Sequence, residues 1–287
     1  MSEASGDAGL PRVLIARAVE AALAEDLGTR GDITTDATVA ADATAAATFG
    51  ARRAGVIAGL AVAEAALHAV DSRVSFEALV HDGAAVEAGA VVARVSGPAR
   101  ALLTGERVAL NFLSHMSGIA TLTRRYVERI AGTRARIADT RKTTPGLRAF
   151  EKYAVRCGGG VNHRSGLHDA ILIKDNHIVA AGGVEAAIRA ARAHAGHMVK
   201  IEVEVGSLDE LQAALRHPVD AVLLDNMDVT VLRQAVAMVG GRVTTEASGG
   251  VTLDSVRAIA ETGVDLISVG ALTHSAPILD LGLDFLP

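Results

Sequence analysis

The sequence predicts an α/β protein, in which a separate α+β segment is followed by a small or incomplete barrel of about six parallel strands. Three observations carry this expectation. After Gly132, short apolar runs alternate with longer runs of helical spacing, the pattern of parallel βαβ units. Half of the residues are hydrophobic but only 2% are aromatic, with no Trp; a core of Ala, Val, Leu and Ile suits helices packed closely on buried strands. The apolar runs also end repeatedly in charged residues, and C-terminal strand ends converge on one face in barrels and open α/β sheets.

The elements follow in order. Pro11 stands at a first helical position, and Leu14, Ile15, Ala18, Val19, Ala22 and Leu23 recur at helical spacing until Gly28 ends the run. Strand-like runs then cover Ala46 to Phe49, Val74 to Phe76 and Val91 to Val95, with an Ala-rich helix near Ala61 to Val70. A long helical region from about Leu103 to Ala131 is expected to break near Gly118. The barrel strands are expected at Arg136 to Asp139, Ala170 to Lys174, Lys200 to Glu204, Ala221 to Asp225, Val243 to Glu246 and Leu266 to Val269. Helical patterns at Val184 to Ala195, Leu208 to Leu215, Val229 to Val239 and Leu253 to Glu261 separate most of them. Six strands are fewer than the eight of a standard barrel.

Composition excludes several function classes. A chain of 287 residues with a net charge of -5 and a pI near 6.1 lacks the basic footprint of a nucleic-acid binder, and it lacks aromatic stacking platforms. The single cysteine, Cys157, permits no intrachain disulfide. The first ten residues contain no signal-peptide core. The longest uncharged stretch, Val108 to Thr123, is too short and too polar to span a membrane. A cytoplasmic protein is expected. None of the ten histidines falls in an HxxxH or HExxH pattern.

The strand ends carry the chemistry. The early ones and their loops are cationic, with Arg141, Lys142, Arg164 and Lys174, and His163 beside Arg164; the later ones are acidic, with Glu204, Asp225 and Glu246. A pocket with four cations calls for a ligand with several anionic groups, because unpaired buried charges are costly. Arginine suits bidentate recognition of carboxylate or phosphate, and lysine acts as a point charge. Glu204 and Asp225 facing one cavity suit Mg²⁺ or sugar hydroxyls. Ser248-Gly249-Gly250, ahead of a helix expected from Leu253, suits backbone approach to a phosphate, as do the loops after the last two barrel strands in general. Gly158-Gly159-Gly160 reads either as a helix C-cap or as a loop that delivers Asn162-His163-Arg164.

Asp139 to Arg148 (DTRKTTPGLR), Glu151 to Arg164 (EKYAVRCGGGVNHR), Leu172 to His177 (LIKDNH), Glu202 to Val205 (EVEV), Leu223 to Asn226 (LLDN), Glu246 to Gly250 (EASGG) and Val269 to Ser275 (VGALTHS) resemble the quinolinate phosphoribosyltransferase family. So do Gly31 to Thr35 (GDITT) and Leu103 to Leu113 (LTGERVALNFL). The resemblance implies a type II phosphoribosyltransferase, with an N-terminal α/β sandwich (residues 1–110, joined by 276–287) and an incomplete, about six-stranded barrel (111–275). It implies a decarboxylating pentosyltransferase that makes nicotinate mononucleotide from quinolinate and phosphoribosyl pyrophosphate in NAD biosynthesis, as a homodimer with shared sites. Arg107 would come from the partner subunit. Arg141, His163, Arg164 and Lys174 would hold the quinolinate carboxylates, and Lys142, Glu204 and Asp225 would surround ribose, pyrophosphate and Mg²⁺. Ser248, Gly249, Gly250, Gly270 and His274 would form the 5′-phosphate loops. Gly105, where alanine is common, and His168 are atypical of the family but lie off these positions.

Two other readings compete. A paralogue acting on a different base is disfavoured by the complete Arg141, His163, Arg164, Lys174 set. A silent phosphate-binding scaffold would have no use for the Glu204 and Asp225 pair.

Overall fold

The computed structural model describes residues 9–287. The described residues form two compact units, one of residues 9–122, 149–159 and 276–287 and the other of residues 123–148 and 160–275. The elements run α1 (Arg12–Leu27), α2 (Ile33–Thr38), β1 (Thr44–Ala51), β2 (Gly55–Val56), α3 (Leu60–Val70), β3 (Ser75–Ala78), β4 (Ala85–Val86), β5 (Val91–Pro98) and α4 (Ala99–Arg129). They continue with β6 (Arg136–Ala138), α5 (Arg148–Cys157), β7 (Ile171–Ile173), α6 (Asp175–Ala181), α7 (Val184–His194), β8 (Ile201–Val205), α8 (Leu208–Ala214) and β9 (Ala221–Asp225). The last are α9 (Val229–Val239), β10 (Thr244–Ser248), α10 (Val256–Ala260), β11 (Leu266–Ser268), α11 (Ala271–His274) and β12 (Leu281–Phe285).

The first unit is built on an antiparallel sheet of order β12-β1-β5-β3. Its small residues allow close packing: Ala47, Phe49, Val92, Ala93 and Val95 are all but fully buried, and Phe49 meets Phe76 with ring centroids 5.9 Å apart. In α1 the buried Ile15, Val19 and Leu23 recur every four residues, one helical stripe, and Gly28 closes the helix at φ 51°. Asp82 accepts from the N–H groups of Gly59 and Leu60, capping α3, and the Tyr153 hydroxyl donates to the same carboxylate at 2.8 Å. Gly105 brings α4 onto α3: a Cβ there would lie 2.9 Å from Leu67 Cδ2.

The break expected in α4 near Gly118 is absent, and the helix is continuous through it. The glycine serves packing instead, since a Cβ at Gly118 would collide with the backbone carbonyl of Pro277. A single glycine costs a helix about 1 kcal/mol, which the rest of a 31-residue helix and the buried Leu113, Met116, Ile119 and Ala120 outweigh.

The second unit is the expected parallel sheet, six strands in the order β6-β11-β10-β9-β8-β7. Ala138 of β6 also forms a parallel bridge with Val161. Strand residues alternate between two environments. Val203, Val205, Val222, Leu224, Ala247 and Ile267 are buried in strands whose connecting helices pack on them. The residues between them, Leu172, Glu204, Leu223, Asp225, Glu246, Ser248 and Ser268, line a common cavity. Parallel strands place their C-terminal ends on one side, so the charged termini noted in the sequence share that cavity.

Candidate active site

The cavity of the second unit has a volume of about 580 Å³. The segment after β6 contributes Thr140, Arg141 and Lys142, the 161–170 loop His163 and Arg164, and the end of β7 Lys174; Glu204, Asp225, Asn226 and Ser248 to Gly250 complete the lining. Most of the site residues expected from the sequence therefore meet. Gly270 and His274 stand next to Lys142: a Cβ on Gly270 would lie 3.1 Å from Lys142 Cδ and 3.2 Å from His274 Nε2. Arg107 is exposed on α4 in the first unit.

Hydrogen bonds set the cationic loops. Buried Asp139 accepts from Asn162 Nδ2 at 2.5 Å and from the His163 N–H at 2.9 Å, fastening the 161–164 segment beside β6. Asp169 accepts from the N–H groups of Ser165 and Gly166 and from Ser165 Oγ. Burial works against its charge, but these donors prevail and hold its pKa down to about 2. The Arg148 guanidinium donates to Thr143 Oγ1 and to the Ser165 carbonyl, tying the two loops together. Thr273 Oγ1 donates to the Lys142 carbonyl at 2.7 Å.

Arg141 and Arg164 each have a buried Nε with no hydrogen-bond partner. Arg164 Nη1 donates to the Ala170 carbonyl at 3.1 Å, and burial, then the charge of Arg141, lower its pKa. Two guanidinium groups held close enough to repel, each with an N–H aimed at no acceptor, form a receptor for an anion. Lys174 Nζ rests on Glu204 Oε2 at 2.8 Å.

His163 has both ring nitrogens engaged. Nδ1 accepts the Arg164 N–H at 2.7 Å, which places the ring proton on Nε2, and Nε2 lies 3.0 Å from Glu202 Oε2 and 3.6 Å from Glu246 Oε1. These three residues bring potential ligand atoms within 4.8 Å of one another. Their geometry satisfies itself through protons, and an imidazole-containing triad is a poor match for Mg²⁺, which prefers oxygen donors. Asp139 and Glu202 carry structural weight that the charge pattern at strand ends did not reveal. For Glu202 the signal was present: Glu202-x-Glu204 on a strand puts both carboxylates on one face.

On the acidic wall, Asp225 Oδ2 accepts from Asn226 Nδ2 at 2.7 Å. Asn226 has φ 53° and donates its N–H to the Ser248 carbonyl. Gly249, at φ 101°, leaves no room for a Cβ against Asn226. The helix expected from Leu253 is regular from Val256 to Ala260; ahead of it the 252–255 turn is closed by reciprocal bonds between Thr252 and Ser255, in the manner of a capping box. The N–H groups that could meet an anion here belong to the loop backbone, and the short helix adds little dipole.

The chain matches the family models for the quinolinate phosphoribosyl transferase N-terminal domain over residues 32–117 and C-terminal domain over residues 119–284. It is 49% identical over 271 residues to the nicotinate-nucleotide pyrophosphorylase [carboxylating] of Mycobacterium leprae, covering 93% of this chain and 95% of that one. It is 45% identical over 262 residues to a probable enzyme of that name from Bacillus subtilis, covering 91% and 89%. Among solved structures, NadC from Streptococcus pyogenes superposes with a TM-score of 0.93 at 43% identity, covering 98% of this chain and 100% of that one.

Proposed function

The chain belongs to the quinolinate phosphoribosyltransferase family, and on that premise we propose how the cavity of its second unit works. The protein is a decarboxylating pentosyltransferase: quinolinate and phosphoribosyl pyrophosphate give nicotinate mononucleotide, CO₂ and pyrophosphate, a step of NAD biosynthesis. The observation that carries the site assignment is the pair of unpartnered guanidinium Nε groups of Arg141 and Arg164 facing one cavity. Quinolinate brings two carboxylates to that cavity, and no weaker anion would offset the desolvation of both cations.

In this reading Arg141, Arg164 and Lys174 receive the carboxylates, with His163 setting the Arg164 backbone through Nδ1. A carboxylate that takes Lys174 releases Glu204 from its 2.8 Å pairing. Glu204 and Asp225, both oxygen donors on the cavity wall, are the residues that fit Mg²⁺, whose chemistry when bound is to neutralise the pyrophosphate leaving group. The same two carboxylates face positive charge developing on the ribose as pyrophosphate leaves. Lys142 lies toward the leaving group, and Ser248, Gly249, Gly250, Gly270 and His274 cradle the 5′-phosphate. A homodimer supplies Arg107 of the partner subunit. The single cysteine, and the absence among the described residues of any helix long and apolar enough to cross a membrane, agree with a cytoplasmic assignment.

The direct assay incubates the protein with quinolinate, phosphoribosyl pyrophosphate and Mg²⁺ and follows nicotinate mononucleotide and CO₂. Turnover is expected to stop in excess EDTA and to return with Mg²⁺. Turnover unchanged in EDTA would remove the metal from this scheme.

A further inference from the structure

Substrate binding, as assigned above, leaves Glu246 unused, although it lines the cavity and is 1% exposed. Its Oε1 makes no hydrogen bond. Around it stand Glu202 of β8, Leu223 of β9, Ser268 of β11 and the His163 ring, with Asp139 just after β6. His163 has one ring proton, on Nε2, and two carboxylates meet at that nitrogen. Two carboxylates in a dry space, with a third close by, cannot all be charged, so one of them holds a proton. Glu246 is the most enclosed of the carboxylates lining the cavity. Burial, then the charge of Glu202, push its pKa up to about 7, His163 and Ser268 pull it down, and Asp139 adds to the rise.

We propose that Glu246 is the acid that protonates the ring carbon from which CO₂ departs. The inference rests on quinolinate occupying this cavity. Quinolinate is a pyridine-2,3-dicarboxylic acid and the product keeps only the 3-carboxylate, so a C–C bond is broken at C2 and a C–H bond is made there. Once N1 carries the ribose the ring is cationic. The C2–carboxylate bond then breaks heterolytically, CO₂ leaves, and the electron pair stays on C2 in the plane of the ring. Glu246 gives its proton to that pair and becomes a carboxylate, and solvent reprotonates it before the next turnover. One proton is consumed and nothing is oxidised or reduced. The neighbouring cations are poor donors for this step: arginine does not give up its proton, and Lys174, as assigned above, is held as a cation by a quinolinate carboxylate. Leu223, the register partner of Glu246, and Leu172 give the cavity apolar wall that limits water as a competing acid.

The test is a rapid-quench single turnover in which pyrophosphate and CO₂ are timed separately, after wild-type protein has been shown to form nicotinate mononucleotide. If wild-type protein forms none, the substrate assignment fails and this step falls with it. In Glu246→Gln, pyrophosphate release is expected within about threefold of wild type and CO₂ release slowed on the order of a hundredfold or more, with the ribosylated dicarboxylate accumulating. Glu246→Asp, which keeps an acid on a shorter arm, is expected to show the same split to a smaller degree, and it serves if the Gln variant does not fold. Pyrophosphate and CO₂ released in step, whether both at the wild-type rate or both equally slowed, would overturn the proposal.

Discussion

Arg164 and Lys174 occupy different positions in the electrostatics of the site, and their substitution separates the two substrates. Arg164 is depressed by burial and by Arg141, so an incoming carboxylate relieves a repulsion as well as gaining hydrogen bonds. A hydrogen bond to a charged group contributes about 1.5–3 kcal/mol. Arg164→Ala and Lys174→Ala are therefore expected to weaken quinolinate binding by roughly ten- to a hundredfold, with much smaller changes for phosphoribosyl pyrophosphate. Titration calorimetry with each substrate checks this, and equal losses for both would count against the carboxylate assignment. Glu246 offers a second test, through stability. Its pKa rises from 4.5 to about 7 in the folded chain, so the folded state binds this proton more tightly than the unfolded state. The resulting stability is fully present below the unfolded value and is lost as pH rises through about 7. Glu246→Gln is exempt from that loss. It should gain on wild type by on the order of 2–3 kcal/mol between pH 4.5 and pH 8, read by urea unfolding, and a difference independent of pH would contradict the shift.

At the scale of elements, strand identity in the second unit was legible because short apolar runs alternate with helical patterns and five of the six runs end in a charge. The β9 and α9 bounds coincide with their sequence expectations, Ala221–Asp225 and Val229–Val239. What misled was glycine. Gly118 reads as a break when only the local helix is considered, yet its role is set by a backbone remote in sequence, at Pro277. The regular part of α10 starts three residues later than expected, after a turn that Thr252 and Ser255 close. The cationic residues of the site were legible from their place at strand ends. The role of Asp139 was not, because its work is to hold the 161–164 segment inside the unit, whereas Glu202 could have been found from its two-residue spacing to Glu204. Gly118→Ala tests the packing role. Forcing a methyl against backbone costs about 1–3 kcal/mol, so a fall of several degrees in Tm is expected, with α-helical circular dichroism retained in the native state. An unchanged Tm would mean the close approach is not needed.

For the whole molecule, the proposed homodimer makes a statement about where Arg107 acts. Arg107→Ala and Lys142→Ala should each be nearly inactive alone. Refolded together, random pairing gives half heterodimers, in which one site carries both lesions and the other neither, so about a quarter of wild-type activity should return. An Arg107 acting within its own chain would leave every site broken. The central claim is that this cavity reads a dicarboxylate, and the ratio of kcat/KM for quinolinate to that for nicotinate tests it most directly. A site built around charged partners rejects an analogue lacking one of them by about 10⁴-fold or more, because Arg141 or Arg164 is then left buried and unpaired. The account expects a preference for quinolinate of that order, and comparable kcat/KM values for the two acids would contradict it.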